Sequence, residues 1–194
     1  MKIGIYSGTF NPIHCGHIAL ADFILEQKIV DEIWMIRTPQ NPFKSNSSLL
    51  SDEHRAAMLA IAVAGHNGLK ISNVEDDMPK PNYTINTLRK VKELYPENDF
   101  YLIIGADNWK VFDKWYKWET ILSDFHLIVY PRPGYEIESF DCEQFPTVKV
   151  IDAPMYNLSS TEIREKIEAG EYPENLIPQG VLNYIIENKL YGNN

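Results

Sequence analysis

Gly8-Thr9-Phe10-Asn11-Pro12-Ile13-His14-Cys15-Gly16-His17 is the stretch on which the fold turns. Just before it, Lys2 to Tyr6 reads as a short buried strand. Just after it, Ile18, Ala19, Ala21, Ile24 and Leu25 recur at helical spacing, which predicts a helix starting near Ile13 to Gly16. Gly8 lets the backbone approach a ligand, and Asn11-Pro12 is a turn pair that feeds a helix start. The product is a strand, a tight loop and a helix N-terminus carrying His14 and His17. Three residues apart, both imidazoles share one helix face and can point at one spot. The free N–H groups and positive dipole end of the helix face the same spot, so it suits an anion. A plainer account reads either histidine as a cap or a surface residue. Half of a metal site is a second one, but no HExxH or cysteine pair accompanies them.

The remainder of the chain alternates in the same way. Asp31 to Arg37 predicts a second strand, and Thr38 to Leu50 a polar loop holding Asn41-Pro42-Phe43-Lys44. Ser51 caps a helix to about Ala64, with Asp52 and Glu53 in its first turn. Leu69 to Val74 is a third strand, Glu75 to Asn82 a polar loop, and Tyr83 to Leu94 a helix. Phe100 to Ile104 is almost wholly apolar, as a central parallel strand should be. Gly105-Ala106-Asp107 follows, then an aromatic-rich helical segment to Leu122. Phe125 to Tyr130 and Val148 to Ile151 complete six strands. Gly134 to Thr147 reads as a surface loop. Ser159 opens a helix to Glu168, and Pro178 to Glu187 forms the last.

Strands alternating with helices predict an α/β fold: a doubly wound, mostly parallel, Rossmann-like sheet. With 194 residues, the chain fits one domain over 1–194, the helices of about 159–190 packing on it. Ligands of such sheets bind beyond the carboxyl ends of the strands, where strand order reverses. Gly8 to His17, Lys44, Tyr83 to Thr87, Asp107, Arg132 and Ser159 to Arg164 all fall just after predicted strands, which points to one composite site.

Composition narrows the function. A formal charge of −9 argues against a general nucleic-acid binder. Cys15 and Cys142 lie far apart without a pairing pattern, which suits a reducing cytoplasm. The N-terminus shows no signal segment and no run reaches membrane-spanning length, so a cytoplasmic protein without a membrane partner is expected. GxGxxG after the first strand and a P-loop are both missing, and no Ser-His-Asp or Cys-His set stands out. What remains is a group of phosphate-facing residues: Thr9, His14, His17, Lys44, Ser159, Ser160, Thr161 and Arg164. That inventory suits a reaction whose nucleophile is already a phosphate oxygen. No general base is then needed, and catalysis reduces to aligning two anions and neutralising charge at the transferred phosphorus.

Ser7-Gly8-Thr9-Phe10-Asn11-Pro12-Ile13-His14-Cys15-Gly16-His17 resembles the GxFxPxHxGH signature of the nucleotidylyltransferases, and Leu158-Ser159-Ser160-Thr161-Glu162-Ile163-Arg164 their ISSTxIR segment. The second is also an ordinary capping box, Ser159-x-x-Glu162, and the two roles use different donors. Gly105-Ala106-Asp107 is similar to the family's GxD element, and Tyr83-Thr84-Ile85-Asn86-Thr87-Leu88 to the YTIDTL of bacterial nicotinate mononucleotide adenylyltransferases. The likeness runs from Met1 to about Leu190. It implies transfer of AMP from ATP to nicotinate mononucleotide, giving deamido-NAD and pyrophosphate. It further implies catalytic roles for His14, His17, Lys44 and Arg164. The ATP site would comprise Gly8, Thr9, Phe10, His17, Gly105, Asp107, Arg132, Ser159, Ser160, Thr161 and Arg164. The mononucleotide site would comprise Lys44, Tyr83, Thr84, Thr87, Tyr116 and Trp115, the last stacked on the pyridine ring. Asp107 also reads as a helix cap, and Arg132 as a surface arginine.

Three departures stand out: Asn86 and Asn11 replace the family's usual Asp, and Asn41-Pro42-Phe43-Lys44 replaces PPHK but keeps the lysine. Neither asparagine removes a cation. Mg²⁺ would ride mainly on the ATP phosphates and need few protein ligands; no resident metal is expected. His54, His66 and His126 lack partner motifs and read as structural. Two rival functions share the fold: a phosphopantetheine adenylyltransferase-like enzyme and a non-catalytic nucleotide sensor. The sequence leaves a homo-oligomer open.

Overall fold

The computed structural model describes residues 1–38, 49–135 and 145–192. Its sheet is built from β1 (Lys2–Gly8), β2 (Glu32–Arg37), β3 (Leu69–Ser72), β4 (Asp99–Gly105), β5 (His126–Tyr130) and β6 (Val148–Val150). They lie in the order β3-β2-β1-β4-β5-β6, each neighbour parallel to the next. β1 sits at the centre, with Ile3 opposite Glu32 on one side and Phe100 on the other. Parallel strands buried on both faces must be apolar on both, and Ile3 and Ile5, Tyr6, and Leu102 to Ile104 meet that demand.

Successive side chains leave a strand in opposite directions, so each strand feeds two cores. One core gathers Tyr6, Ile33, Met35, Ile103 and Ile128 against α1 (Cys15–Glu26), α2 (Asp52–Val63), α6 (Ser160–Glu168) and α7 (Gln179–Glu187). The other gathers Ile3, Ile5, Ile36, Leu102 and Leu127 against α3 (Thr84–Leu94), α4 (Ala106–Trp109), a 3₁₀ turn (Phe112–Lys114) and α5 (Trp118–Asp124).

Element order and type agree with the sequence reading except in one place. The aromatic-rich segment after β4 is not one helix but the three short pieces just given, with Lys117 in the left-handed region at φ 55° before α5. Trp109 stacks on Phe112 at 5.5 Å and Trp115 tilts onto the same ring at 5.2 Å. Gathering two large rings around one buried phenyl requires the chain to wrap, which a straight helix cannot do.

Between β1 and β4 the chain order reverses: β2 and β3 extend one way, β4 to β6 the other. The loops leaving the carboxyl ends of β1 and β4 therefore diverge and open a crevice. The Gly8 to His17 stretch and Gly105 to Asp107 flank it.

Candidate active site

The loop from Gly8 to His14 is fixed by groups distant in sequence. Thr38 N–H donates to the Gly8 carbonyl at 2.9 Å, and Cys15 N–H, at the start of α1, to the Leu176 carbonyl at 2.9 Å. The guanidinium of Arg55, 1% exposed, donates to the carbonyls of Thr9 (2.9 Å), Thr38 (2.8 Å) and Leu50 (3.3 Å), and pairs with Asp52. Sequence reasoning missed Arg55. The available signal was its place on the apolar stripe of α2, where Arg55, Met58, Leu59 and Ala62 share the buried face. Asp52 also accepts from Arg37 at 3.0 Å, and Arg37 reaches Asp76 at 2.9 Å, tying β2, α2 and the loop after β3 together.

From this loop His14 enters α1 as its N-cap, with extended backbone, and His17 follows one turn on. Their rings stack at 3.6 Å between centroids. The His14 backbone N–H donates to His17 Nδ1 at 3.2 Å. An accepting Nδ1 carries no proton, so neutral His17 bears its hydrogen on Nε2. Burial, with His14 and Arg132 nearby, pushes the His17 pKa well below the usual histidine range. Burial likewise lowers His14 to about 4, with Arg132 adding to the effect. Both rings are thus neutral N–H donors at ordinary pH. The buried Nδ1 of His14 has no partner among the described residues. It lies against Gly16, where an added Cβ would come within 3.2 Å of it. An edge-on contact from Phe10 (5.2 Å) and a tilted one from Tyr6 (6.1 Å) hold the His17 ring.

The depressed pKa of His14 has a consequence for stability. An unfolded chain protonates this ring near pH 6.5 whereas the folded chain resists until about 4. Between those values the unfolded state binds more protons, so stability falls as pH drops through the window and is fully present above it. The difference amounts to on the order of 3 kcal/mol. Urea titrations at pH 7 and pH 4 should therefore show a smaller acid loss in His14→Asn than in the unaltered chain. Equal losses would show that His14 is not held neutral by its surroundings.

Across the crevice, Arg132 Nε lies 3.6 Å from Asp107 Oδ1, and its Cζ lies 5.8 Å over the Tyr130 ring. Asp107 Oδ1 is buried without a hydrogen-bond partner among the described residues. Asp107 stands in the first turn of α4, and Gly105, not Asp107, is the N-cap. A Cβ on Gly105 would collide with the Asp107 carboxylate and come within 3.0 Å of Arg132. The sequence-predicted Gly105, Asp107 and Arg132 therefore form one unit. His14, His17, Tyr6, Tyr130, Arg132 and Tyr156 line the same cleft.

α6 closes the site from a third side. Ser159 Oγ caps it by accepting from Glu162 N–H at 3.1 Å, as the capping-box pattern predicts. Ser160 Oγ donates to the Pro12 carbonyl at 2.9 Å, and Arg164 donates to the Asn11 carbonyl at 2.8 Å and to Thr161 Oγ1 at 3.2 Å. These side chains fasten α6 to the histidine loop. The Ser160 and Thr161 N–H groups at the start of α6, before the capped Glu162, have no intrahelical partner by construction and remain suited to an anion.

The residues predicted for the pyridine side separate into two groups. Tyr83 and Tyr116, 40% and 50% exposed, face each other at 4.8 Å, and Lys117 Nζ lies 5.4 Å over the Tyr116 ring. Thr84 opens α3 beside them. Thr87 is different: its buried hydroxyl donates to Glu75 at 2.6 Å and accepts from Asn82 at 2.8 Å. It anchors the loop after β3 to α3. Burial raises the Glu75 pKa, which suits an acid sharing this enclosed network. Trp115 is half-buried, its ring tilted onto Phe112. If its ring stacks on the pyridine, Trp115→Ala should weaken mononucleotide binding by roughly 1 kcal/mol beyond lost area while sparing ATP. Calorimetric titration with each ligand checks this, and equal damage to both would make Trp115 part of the core only.

Lys44 and Cys142 lie outside the described residues, as does most of the loop expected over Gly134 to Thr147. Away from the cleft, His54 bonds to Tyr184 Oη at 3.0 Å, His66 to Asp22 at 3.1 Å, and His126 stacks on Tyr101 at 4.6 Å. Among the described residues no group of three or more His, Cys, Asp or Glu side chains gathers in a way that could hold a metal ion. No helix there is long and apolar enough to cross a membrane.

Comparison with known proteins places this geometry. The cytidylyltransferase-like family profile matches residues 5–166. The chain is 43% identical over 186 residues to a probable nicotinate-nucleotide adenylyltransferase of Bacteroides fragilis, covering 96% of this chain and 92% of that protein. It is 43% identical over 191 residues to the protein of the same name from Flavobacterium johnsoniae, covering 98% and 99%. In fold it is similar to Plasmodium falciparum nicotinic acid mononucleotide adenylyltransferase complexed with NaAD, with a TM-score of 0.84, 24% identity and 98% and 97% coverage.

Proposed function

Because the chain belongs to the nicotinate-nucleotide adenylyltransferases of the cytidylyltransferase-like family, we propose that its cleft transfers AMP from ATP to nicotinate mononucleotide. A nucleotidyltransferase of NAD biosynthesis must join two phosphates. An oxygen of the mononucleotide 5′-phosphate attacks the α-phosphorus of ATP, forming the new P–O bond. The bond from that phosphorus to the β-bridging oxygen breaks, and pyrophosphate leaves with the electron pair. The attacking oxygen is already ionised, so the protein supplies alignment and charge stabilisation rather than a base.

The observation that carries this reading is the neutral His14–His17 pair at the N-terminus of α1. His17 offers Nε2–H to the phosphoryl oxygens, because the His14 N–H occupies Nδ1. Neutral donors suit this step: they stabilise charge that grows in the transition state without binding the ground-state phosphates as tightly as a full cation would. Arg164 and the α6 N-terminus complete the phosphate side, and Lys44 is expected to join them from its loop. Asp107, with a buried oxygen that has an ion-pair neighbour but no hydrogen-bond partner among the described residues, suits a ribose hydroxyl, and Arg132 suits the adenylate. Trp115, Tyr83, Thr84 and Tyr116 suit the pyridine ring. The relatives bear the pyridine-nucleotide name along nearly their whole lengths, which favours that substrate over phosphopantetheine.

Mg²⁺ fits this site as an ion that arrives on the nucleotide. The described residues that line the cleft include no carboxylate, and the nearby Asp107 is paired with Arg132. The ATP phosphates would hold the ion, and it would draw charge from the leaving pyrophosphate. The reaction would run in the cytoplasm, a compartment that the sparse, unpatterned cysteines suit.

Labelled ATP tests which bond breaks. With the label at the α-phosphorus it should appear wholly in the dinucleotide; with the label at the γ-phosphorus, wholly in pyrophosphate. Release of γ-label as inorganic phosphate, or its capture by the mononucleotide, would identify a different transfer.

A further inference from the structure

Asn11 lies three residues before His14 and is buried at 4% exposure. Its carboxamide oxygen accepts the Leu50 N–H at 3.3 Å and the Tyr191 hydroxyl at 2.8 Å. A backbone N–H can only donate, so the oxygen of the amide faces Leu50. The Tyr191 hydroxyl must then donate too, and the two lone pairs of the oxygen are both used. The backbone carbonyl of the same residue accepts from Arg164. Asn11 is thus held at both its side chain and its main chain, by segments 39, 153 and 180 residues away.

The backbone around Tyr191 is shaped to make this contact. After α7, Lys189 at φ 51° and Tyr191 at φ 60° both occupy the left-handed region, which is unfavourable for non-glycine residues. Such conformations persist where the surroundings over-determine them. Here Lys189 N–H bonds to Ile186 O and Leu190 N–H to Ile185 O, while the Leu190 side chain is buried in the core shared with α1. The two turns bring the Tyr191 ring under the histidine loop. Burial raises its hydroxyl pKa, so it stays a proton donor throughout the working range.

We propose that Tyr191 is a positioning residue for adenylyl transfer: by donating to Asn11 it sets the loop from which His14 and His17 enter the site. Among the described residues no hydrogen bond or ring contact joins it to either histidine. Its effect passes through three residues of loop to the His14 N–H that fixes the His17 tautomer. This assignment rests on the adenylyltransferase reading, and the activity of the unaltered chain tests that reading separately.

Tyr191→Phe removes one hydroxyl and leaves the ring in place. The loop keeps its bonds from Arg55, Arg164, Ser160 and Leu50, so the loss should be limited. We expect kcat to fall roughly tenfold, the size of one buried hydrogen bond, with KM for both substrates within about twofold. The melting temperature should fall by no more than about 3 °C, and the protein should elute as the unaltered chain does. Asn11→Ala should lower kcat at least as much, and the double variant no further than Asn11→Ala alone. Restoring a donor with Asn11→Ala in place cannot help, which separates this account from a general role in packing. A Tyr191→Phe kcat within twofold of the unaltered chain would overturn the proposal. Additive losses in the double variant, or a rise in KM with kcat unchanged, would do the same.

Discussion

His17→Ala is expected to lower kcat by about 10²–10³-fold, the usual effect of removing an electrostatic donor to a developing negative charge. The ring sits at the dipole end of α1, its Nδ1 occupied by the His14 N–H and its edges gripped by Phe10 and Tyr6. His17→Asn is the informative companion. Its side-chain amide also offers a neutral N–H but is shorter, so it should recover part of the loss. KM for ATP should change far less than kcat, because the bond to His17 strengthens as charge develops. Saturation kinetics on both variants test this; a His17→Ala turnover within a few-fold of the unaltered chain would remove His17 from the reaction.

Arg55 is expected to matter as much for folding as His17 does for chemistry. Arg55→Met keeps much of the stem volume but deletes the guanidinium, leaving the carbonyls of Thr9, Thr38 and Leu50 without that donor in a buried place. Breaking one side of such a buried charged network costs about 3–5 kcal/mol. For a chain of 194 residues that corresponds to a melting temperature lowered by roughly 10 °C. Arg55→Lys should recover only part, since a single ammonium cannot span three carbonyls and the Asp52 carboxylate. Thermal and urea unfolding measure both. A loss below about 1 kcal/mol for Arg55→Met would mean that the histidine loop is held mainly by other contacts.

What the sequence makes legible follows from how far each feature reaches. β1 and β4 are visible as apolar runs because a central parallel strand is buried on both faces whatever packs against it. Ser51 and Ser159 are visible as caps because a cap acts within its own first turn, and both do so in the structure. The His14-x-x-His17 pair is legible because one helix face is a local property. Long-range partners carry no such mark. Arg55 gives only the hint of a charge on an apolar stripe, and its carbonyls lie in three separate segments. Thr87 belongs to a motif that suggests substrate, yet Glu75, twelve residues earlier, takes its hydroxyl. Ser160 and Arg164 read as phosphate ligands, and both also tie α6 to the histidine loop. Tyr191 sits in an unremarked stretch and meets Asn11 only through the fold. The break of the aromatic segment after β4 depended on how Trp109, Phe112 and Trp115 share a core, which helical spacing alone cannot express.

Nicotinate and nicotinamide mononucleotide differ by a carboxylate against an amide, so the pair tests the pyridine pocket directly. Thr84 and the first N–H groups of α3, which Tyr83 caps without a side-chain bond, are proposed as the neutral donors of that pocket. An amide cannot satisfy them all, since its NH₂ meets another N–H and leaves buried groups unpaired. The deciding measurement supplies the purified chain with ATP, Mg²⁺ and each mononucleotide in parallel, and quantifies both dinucleotides and pyrophosphate. The account predicts stoichiometric dinucleotide and pyrophosphate, with kcat/KM for nicotinate mononucleotide higher by at least roughly tenfold, about 1.4 kcal/mol. Equal efficiency or preference for the amide would contradict the pocket, and no dinucleotide from either would contradict the function.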